Sequence, residues 1–306
     1  AVAGMMAGGV PVATALIADA STPNQRSRAM GLIGRAFGIG LILGPVIGGL
    51  LARSEGDFAL PCLVAGALSA LAGVMALALL PVGIIKPAGD ESESHRAAAP
   101  TMGETLRRSG RLLFICQFAF HTCAVSAAVY LFPLWVANGL AWQAREVGLF
   151  FGLVGVVMVL TQGNLLGRMT DRFGTLMVLR GAAMCFSLSL ALSSVASGPW
   201  AMCALGLLAF SAATLCLPVM NTIASYLVDP ASRGRFFGIT SSFAAFGRIA
   251  GPLAAAGLLA QGDFGLAWLG TSIVVMLVVS APLQSSLERS NALAPLIRKA
   301  RETRLR

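Results

Sequence analysis

Long apolar runs alternate with short polar turns along almost the whole chain. Nine runs reach spanning length, at roughly 1–20, 29–52, 58–81, 112–136, 147–166, 176–196, 199–227, 236–260 and 264–283. A helix rises about 1.5 Å per residue, so some 20 apolar residues cross the ~30 Å hydrocarbon core of a bilayer. Hydrocarbon offers no partner to a bare N–H or C=O, so each run is predicted to be a helix. The polar interruptions are short except at 82–111. There the stretch from Pro87 to His95 has the composition of a flexible linker, with His95 solvated, and 101–111 alternates charged and apolar residues as a short surface helix does. The pattern divides the chain into a three-helix group (1–81), a cytoplasmic linker (82–111), a six-helix group (112–283) and a basic tail (284–306).

The two groups are related. Residues 11–51 realign on 218–258 at a constant offset of 207, with identities that include Pro11/Pro218, Val12/Val219, Pro23/Pro230, Arg26/Arg233, Arg28/Arg235, Gly31/Gly238, Gly40/Gly247, Gly44/Gly251, Pro45/Pro252 and Leu51/Leu258. Two related bundles facing the same way are the architecture of a membrane carrier with a central cavity. The six-helix group begins near Leu112. The counterpart of that start falls about 95 residues ahead of Ala1, so three further helices are expected there. Ala1 carries no initiator Met, charged leader or signal-peptide pattern, and the chain reads as a piece of a longer protein.

Composition agrees with a lipid solvent. The chain is 57% hydrophobic and 11% charged, against about 25% charged in soluble domains. The net charge of +9 raises the possibility of nucleic acid, but its distribution answers it. With loops numbered alternately inside and outside, Arg26, Arg28, Lys86, Arg96, Arg107, Arg108, Arg111, Arg168, Arg172, Arg233, Arg235, Arg289, Arg298, Lys299, Arg301, Arg304 and Arg306 fall inside. Only Arg53 and Arg145 fall outside, which is the positive-inside pattern and places the C-terminus in the cytoplasm. Twenty Arg against two Lys, with abundant Ala and Gly, fits a high-GC bacterial coding sequence and hence a cytoplasmic (inner) membrane. The six cysteines all lie in apolar runs, form no Cys-x-x-Cys pair and read as small buried packing residues.

The run at 29–52 carries Gly31-x8-Gly40-x3-Gly44-Pro45-x2-Gly48-Gly49. Gly40, Gly44 and Gly48 recur every four residues, so one helix face is bare backbone that a neighbour can approach closely, and Pro45 introduces a bend. This spacing resembles the antiporter signature on the fifth helix of drug/proton exporters of the major facilitator superfamily. Gly167-Arg168-Met169-Thr170-Asp171-Arg172-Phe173-Gly174 resembles the superfamily's loop signature, here between the eighth and ninth helices. The resemblance departs at Thr175 and Leu176, which replace a basic pair. Asp171 is expected either to latch onto a facing helix near Arg26 or Arg28, or to form a solvated ion pair in a tight turn. Gly4 through Pro11, then Leu16-Ile17-Ala18-Asp19, resembles the latter part of the fourth helix. The arginine that the family places ahead of this stretch would fall just before Ala1.

The resemblance covers essentially the whole chain, from the family's fourth helix to its twelfth. It implies an all-α integral membrane protein with a partial major facilitator fold and nine transmembrane helices in two pseudo-symmetric bundles. It implies a secondary active transporter that exports small molecules by proton antiport with alternating access. The alternatives are a nutrient uniporter or symporter, and a transport-inactive membrane receptor or remnant. An enzyme is disfavoured: the sequence has no Ser/His pair in a Gly-rich helix, no paired intramembrane carboxylates and no metal-ligand cluster. The expected partners are a small-molecule substrate, protons and the lipid bilayer, with no nucleic acid, cofactor or metal, and the protein is expected to be a monomer.

Polar residues within the runs mark the candidate substrate cavity. Ser211, Thr214, Pro218, Asn221 and Ser225 form one stripe on the helix at 199–227, and their repeat-mates are Gly4, Ala7, Pro11, Thr14 and Ala18. They line a cavity or glue helices by bonding one turn back. Gln117 and His121 lie one turn apart on the same face, and His121 is the titratable candidate in the second bundle. A mid-membrane arginine costs roughly 2.5–3.5 kcal/mol on insertion scales. Arg35 is near enough to the cytoplasmic end of its run to snorkel, whereas Arg248 is deeper and either pairs across the bundle or faces an anionic substrate. No Asp or Glu lies at mid-membrane, and Asp19 near a helix end caps or pairs with Arg26 or Arg28.

Overall fold

The computed structural model describes residues 25–51, 59–79, 111–228 and 232–279, together with 13–14, 16–17 and Ser21. Most of the first predicted run lies outside the described residues, with Gly4, Ala7, Pro11, Ala18 and Asp19, as do the linker up to 110 and the tail at 284–306. Every regular element among the described residues is helical. In chain order these are α1 (Arg26–Leu51), α2 (Ala59–Leu79), α3 (Arg111–Leu140), α4 (Ala144–Leu160), a π-helical turn (Thr161–Leu165), α5 (Leu166–Phe173), α6 (Thr175–Ser193), α7 (Pro199–Leu227), α8 (Arg233–Leu259) and α9 (Phe264–Val279). Of these, α2, α3, α6, α7 and α8 are each long and apolar enough to cross a membrane.

Local chemistry sets the helix ends. Gly198 at φ +87 turns the chain into α7, whose first residue, Pro199, needs no amide partner there. At the start of α4 the Gln143 amide donates to Glu146 Oε2 at 2.9 Å, half of a reciprocal capping box. The Asp263 carboxylate accepts from the Gly265 amide at 2.7 Å and opens α9.

One boundary differs from the sequence expectation. The polar stretch at 167–174 is not a loop over most of its length. The rod begun by α4 continues through the π-turn and α5 to Phe173 and stops only at Gly174, where φ is +85. Thr170 helps it continue, its hydroxyl bonding back to the carbonyls of Leu166 and Gly167 at 3.0 Å. Polarity there marks where the rod leaves the apolar layer, not where the helix ends.

The packing follows from glycine and aromatic positions. α8 lies along α3 and α1 lies along α4, while α6 packs on α7 and α9. A Cβ added at Gly247 would strike the Ala119 carbonyl, and one at Gly251 the Cys123 carbonyl, so the two backbones of α3 and α8 touch at these glycines. Between α1 and α4 the same closeness is made by Gly38 and Gly155: a Cβ on Gly155 would stand 2.9 Å from the Gly38 carbonyl. Phe132 fills the centre of an aromatic cluster, stacked on Phe150 at 4.3 Å and edge-on to Phe210 at 5.5 Å, with Gly206 making room for its ring. Trp135 meets Trp268 edge-on at 5.2 Å.

The outer faces are apolar, as lipid contact requires. Phe246 is 72% exposed, Leu253 68% and Leu77 86%, and α2 packs lightly on α1 and buries none of its side chains. The cysteines depart from the packing expectation in one case: Cys216 is buried and four others are half-buried, but Cys62 is exposed on α2.

One polar contact between helices is reciprocal. Ser187 of α6 and Ser272 of α9 bring their hydroxyls to 2.9 Å, and each also lies within hydrogen-bonding distance of the other's carbonyl. Interhelical bonds of this kind in membranes average about 0.6 kcal/mol, because the separated helices find other partners. Ser187→Ala is therefore expected to lower thermal stability in detergent only slightly, by about 0.6 kcal/mol. A shift of several kcal/mol in a thermal-unfolding series would contradict this.

Candidate functional site

α7 carries the predicted polar stripe, and the structure divides it. Ser211, Thr214 and Asn221 are half-buried, whereas Pro218 and Ser225 are buried. The Thr214 hydroxyl bonds back to the Ser211 carbonyl at 2.9 Å, and the Ser225 hydroxyl to that of Thr222 at 2.7 Å. These two side chains thus satisfy themselves within α7. Thr14, from the facing repeat, is 2% exposed.

Pro218 is the structural pivot of the stripe. It has no amide hydrogen, so the carbonyl four residues earlier, Thr214, loses its helical partner. That carbonyl accepts instead from Gln162 Nε2 at 2.7 Å. Gln162 belongs to the π-turn and is fully buried. One residue earlier on α7, the backbone of Ala213 is hydrogen-bonded by His121 of α3. The imidazole is 2% exposed and edge-on to Phe186 at 6.3 Å, and its Nδ1 is buried with no hydrogen-bond partner among the described residues. Gln117, one turn away, is also fully buried. The structure thus brings His121 to the proline-loosened segment of α7.

The same pattern recurs on α8. Pro252 frees the carbonyl of Arg248, and Ser126 of α3 donates to it at 2.9 Å. The Arg248 side chain is exposed, and no ion pair to it is seen among the described residues. Arg35 is half-buried, and its Nε is buried without a hydrogen-bond partner among the described residues. By helical spacing it shares the α1 face that carries Gly31 and Gly38.

The glycine motif is split between two faces. Gly31 and Gly38 meet the rod of α4 and the π-turn, whereas Gly40 and Gly44 meet nothing within 4 Å among the described residues. A close approach of the kind expected at Gly40 and Gly44 is seen at their repeat-mates Gly247 and Gly251, against α3. α1 runs helical through Pro45, Gly48 and Gly49, though the surroundings of these three lie outside the described residues. In the second motif, Gly167 is buried in α5, Asp171 is half-buried, Gly174 ends the rod and the Arg172 guanidinium stands 5.6 Å from the Phe173 ring centre. The side chains of Arg26 and Arg28, the candidate partners of Asp171, lie outside the described residues.

A model of the Major Facilitator Superfamily matches residues 1–252, and again 165–285. The chain belongs to the Major Facilitator Superfamily. Its relatives include the class D tetracycline resistance protein of Salmonella ordonez, 27% identical over 87% of this chain and 68% of the relative. Another is multidrug resistance protein 2 of Bacillus subtilis (strain 168), 24% identical over 79% of this chain and 60% of the relative. Among solved structures, the human organic anion transporter MFSD10 (TETRAN) superposes with a TM-score of 0.67 at 23% identity. That superposition covers 88% of this chain and 66% of the other. At that identity the likeness is one of fold. The chain spans about two thirds of the length of these proteins. The superfamily consists of transporters, so this member is a multi-pass membrane protein of carrier type and not an enzyme.

Within this Major Facilitator Superfamily fold, two residues escape a reading of the sequence as spans and motifs. Gln162 was visible only as part of Thr161-Gln162-Gly163-Asn164, a polar patch inside an apolar run. Ser126 had no signal beyond a hydroxyl one helical turn from Thr122. Proline position was the usable clue at these two sites, because Pro218 and Pro252 each free a carbonyl that a donor outside the helix then meets.

Proposed function

We propose that this chain is the greater part of a secondary active transporter that exports small molecules across a cytoplasmic membrane in exchange for protons. Alternating access moves the two bundles against each other, and the C-terminal end faces the cytoplasm. The observation that supports this reading is α7: a spanning helix in which Pro218 leaves the Thr214 carbonyl without its helical partner, with half-buried polar residues on one stripe and that carbonyl met from another element. Polar residues inside spanning helices mark substrate and ion pathways. Ser211, Thr214 and Asn221 line the cavity, with Thr14 facing them from the first bundle. Gln117 and His121 lie behind them and enter the cavity as the helices move. Arg248 and the glycine motif of α1 complete the moving surfaces. His121 is the proton-binding candidate of the second bundle. The names of the bacterial relatives suggest tetracycline as a first probe.

The test uses inverted membrane vesicles carrying the full-length protein. Respiration acidifies their interior, so an exporter exchanging protons takes tetracycline up, several-fold above control vesicles, and a protonophore abolishes the uptake. Uptake that ignores the gradient supports a uniporter, and binding without flux supports a receptor. In the same vesicles His121→Gln keeps a donor for the Ala213 carbonyl but removes the titratable group. It is expected to flatten the pH profile of uptake, and an unchanged profile excludes His121 as the proton carrier.

A further inference from the structure

We infer that Gln162 is a positioning residue that ties the Pro218 segment of α7 to the contact between the two bundles, and so sets the balance between inward-open and outward-open states. This rests on the alternating-access reading above. The argument starts from cost. A primary amide in the middle of a membrane helix is unfavourable unless bonded, and Gln162 is fully buried. It sits in the π-turn Thr161–Leu165, where one residue is inserted into the rod and the regular bonding of the backbone is interrupted.

Both ends of the residue are in use. The side-chain amide donates to the Thr214 carbonyl at 2.7 Å, the acceptor that Pro218 strips of its own partner. The main-chain carbonyl lies against Gly31 of α1, so closely that a Cβ at position 31 would strike it. Gly238, the repeat-mate of Gly31, has nothing within 4 Å among the described residues. Gln162 therefore links α1, in the first bundle, to the cavity stripe of α7, in the second.

Ser126 offers an internal comparison. It satisfies the carbonyl freed by Pro252 in the same way, between α3 and α8, and like the Gln162–Thr214 bond it lies within the second bundle; what Gln162 adds is the contact of its main chain with Gly31 of the first. A simple cap would also be fully paired. The Oε1 of Gln162 is buried with no partner among the described residues, so the amide has a bond left to make when the helices shift.

The experiment reads the conformational balance directly. In the full-length protein every native cysteine is replaced by alanine and Ser211→Cys is introduced as a reporter on the cavity stripe. A membrane-impermeant maleimide is applied from the cytoplasmic or the external side, using vesicles of both orientations. Gln162→Leu is expected to shift the inside-to-outside labelling ratio roughly three- to tenfold, the worth of one net hydrogen bond. Pro218→Ala restores an amide for the Thr214 carbonyl within α7, so adding Gln162→Leu to it should change the ratio little. Ser126→Ala should leave the ratio at the parent value.

An unchanged ratio in Gln162→Leu overturns the proposal, as does a shift that persists in full on the Pro218→Ala background. If Gln162→Leu fails to accumulate in membranes, the double variant decides. Labelling like that of Pro218→Ala alone supports the proposal, and failure to accumulate overturns it. A parent protein labelled from one side only, at every pH tested, would remove alternating access itself. Labelling from both sides without a Gln162 effect removes only the role of Gln162.

Discussion

Gly251→Val is expected to be the most damaging single substitution in the described structure. The Cβ alone would collide with the Cys123 carbonyl and stand 3.0 Å from the Ala127 amide nitrogen, and both are backbone atoms of a helix that cannot rotate away. Valine adds two further carbons at the same place. Overpacking a core costs about 1–3 kcal/mol when side chains can give, and more when they cannot. Here the only relief is to separate α3 from α8 along their whole contact. That separation also withdraws Gly247 from Ala119 and Ser126 from the Arg248 carbonyl. We expect a loss of at least about 3 kcal/mol, read as a fall in the midpoint of thermal unfolding in detergent or as failure to purify as a monodisperse species. Gly181→Val, at an exposed position of α6 with nothing within 4 Å among the described residues, should fall within about 0.5 kcal/mol of the parent. Equal tolerance of both substitutions would show that the α3–α8 contact is looser than described.

Phe132→Ala should come second. The ring is fully buried and touches the rings of Phe150, Phe151, Phe210 and Trp135. In a membrane the gain from leaving water is small, since lipid is as apolar as the protein interior. The penalty for an unfilled cavity remains, at about 24 cal/mol per Å³ of residual volume, or roughly 2–3 kcal/mol for most of a phenyl ring. Phe132→Leu keeps much of the volume and should cost under about 1.5 kcal/mol. An SDS-unfolding series that ranked the leucine variant below the alanine variant would refute the cavity argument.

The sequence made the spans legible because hydrocarbon leaves so few choices. The runs at 58–81 and 199–227 became α2 and α7 within two residues at either end. The rod of α4 and α5 was less legible, because water tolerates a helix as readily as a loop and polarity alone does not end one at Gly167. The site was legible by residue type but not by partner. His121 and Thr214 could be named from their setting in apolar runs, whereas the bonds they make depend on register between helices distant in sequence. Gln162 reaches Thr214 across 52 positions, and no local pattern carries that distance. The motif glycines show the same limit: which neighbour Gly251 meets, the backbone of α3 at Cys123, depends on a helix more than a hundred positions away.

Two arginines counted among the cytoplasmic charges have a second task. Arg111 donates through Nε to the Leu227 carbonyl at 2.9 Å, and Arg233 to that of Ser225 at 3.2 Å, both at the C-terminal end of α7. Each side chain is buried, at 6% and 7% exposure. Their cationic groups thus sit where the helix dipole is negative and the last carbonyls lack amide partners. On the proposed topology, charges that would orient the nascent chain during insertion become, in the folded protein, internal ties to the end of α7. The cytoplasmic surface of that topology is to that extent less basic than the sequence, and less of the positive charge remains to hold anionic headgroups than a count of residues implies.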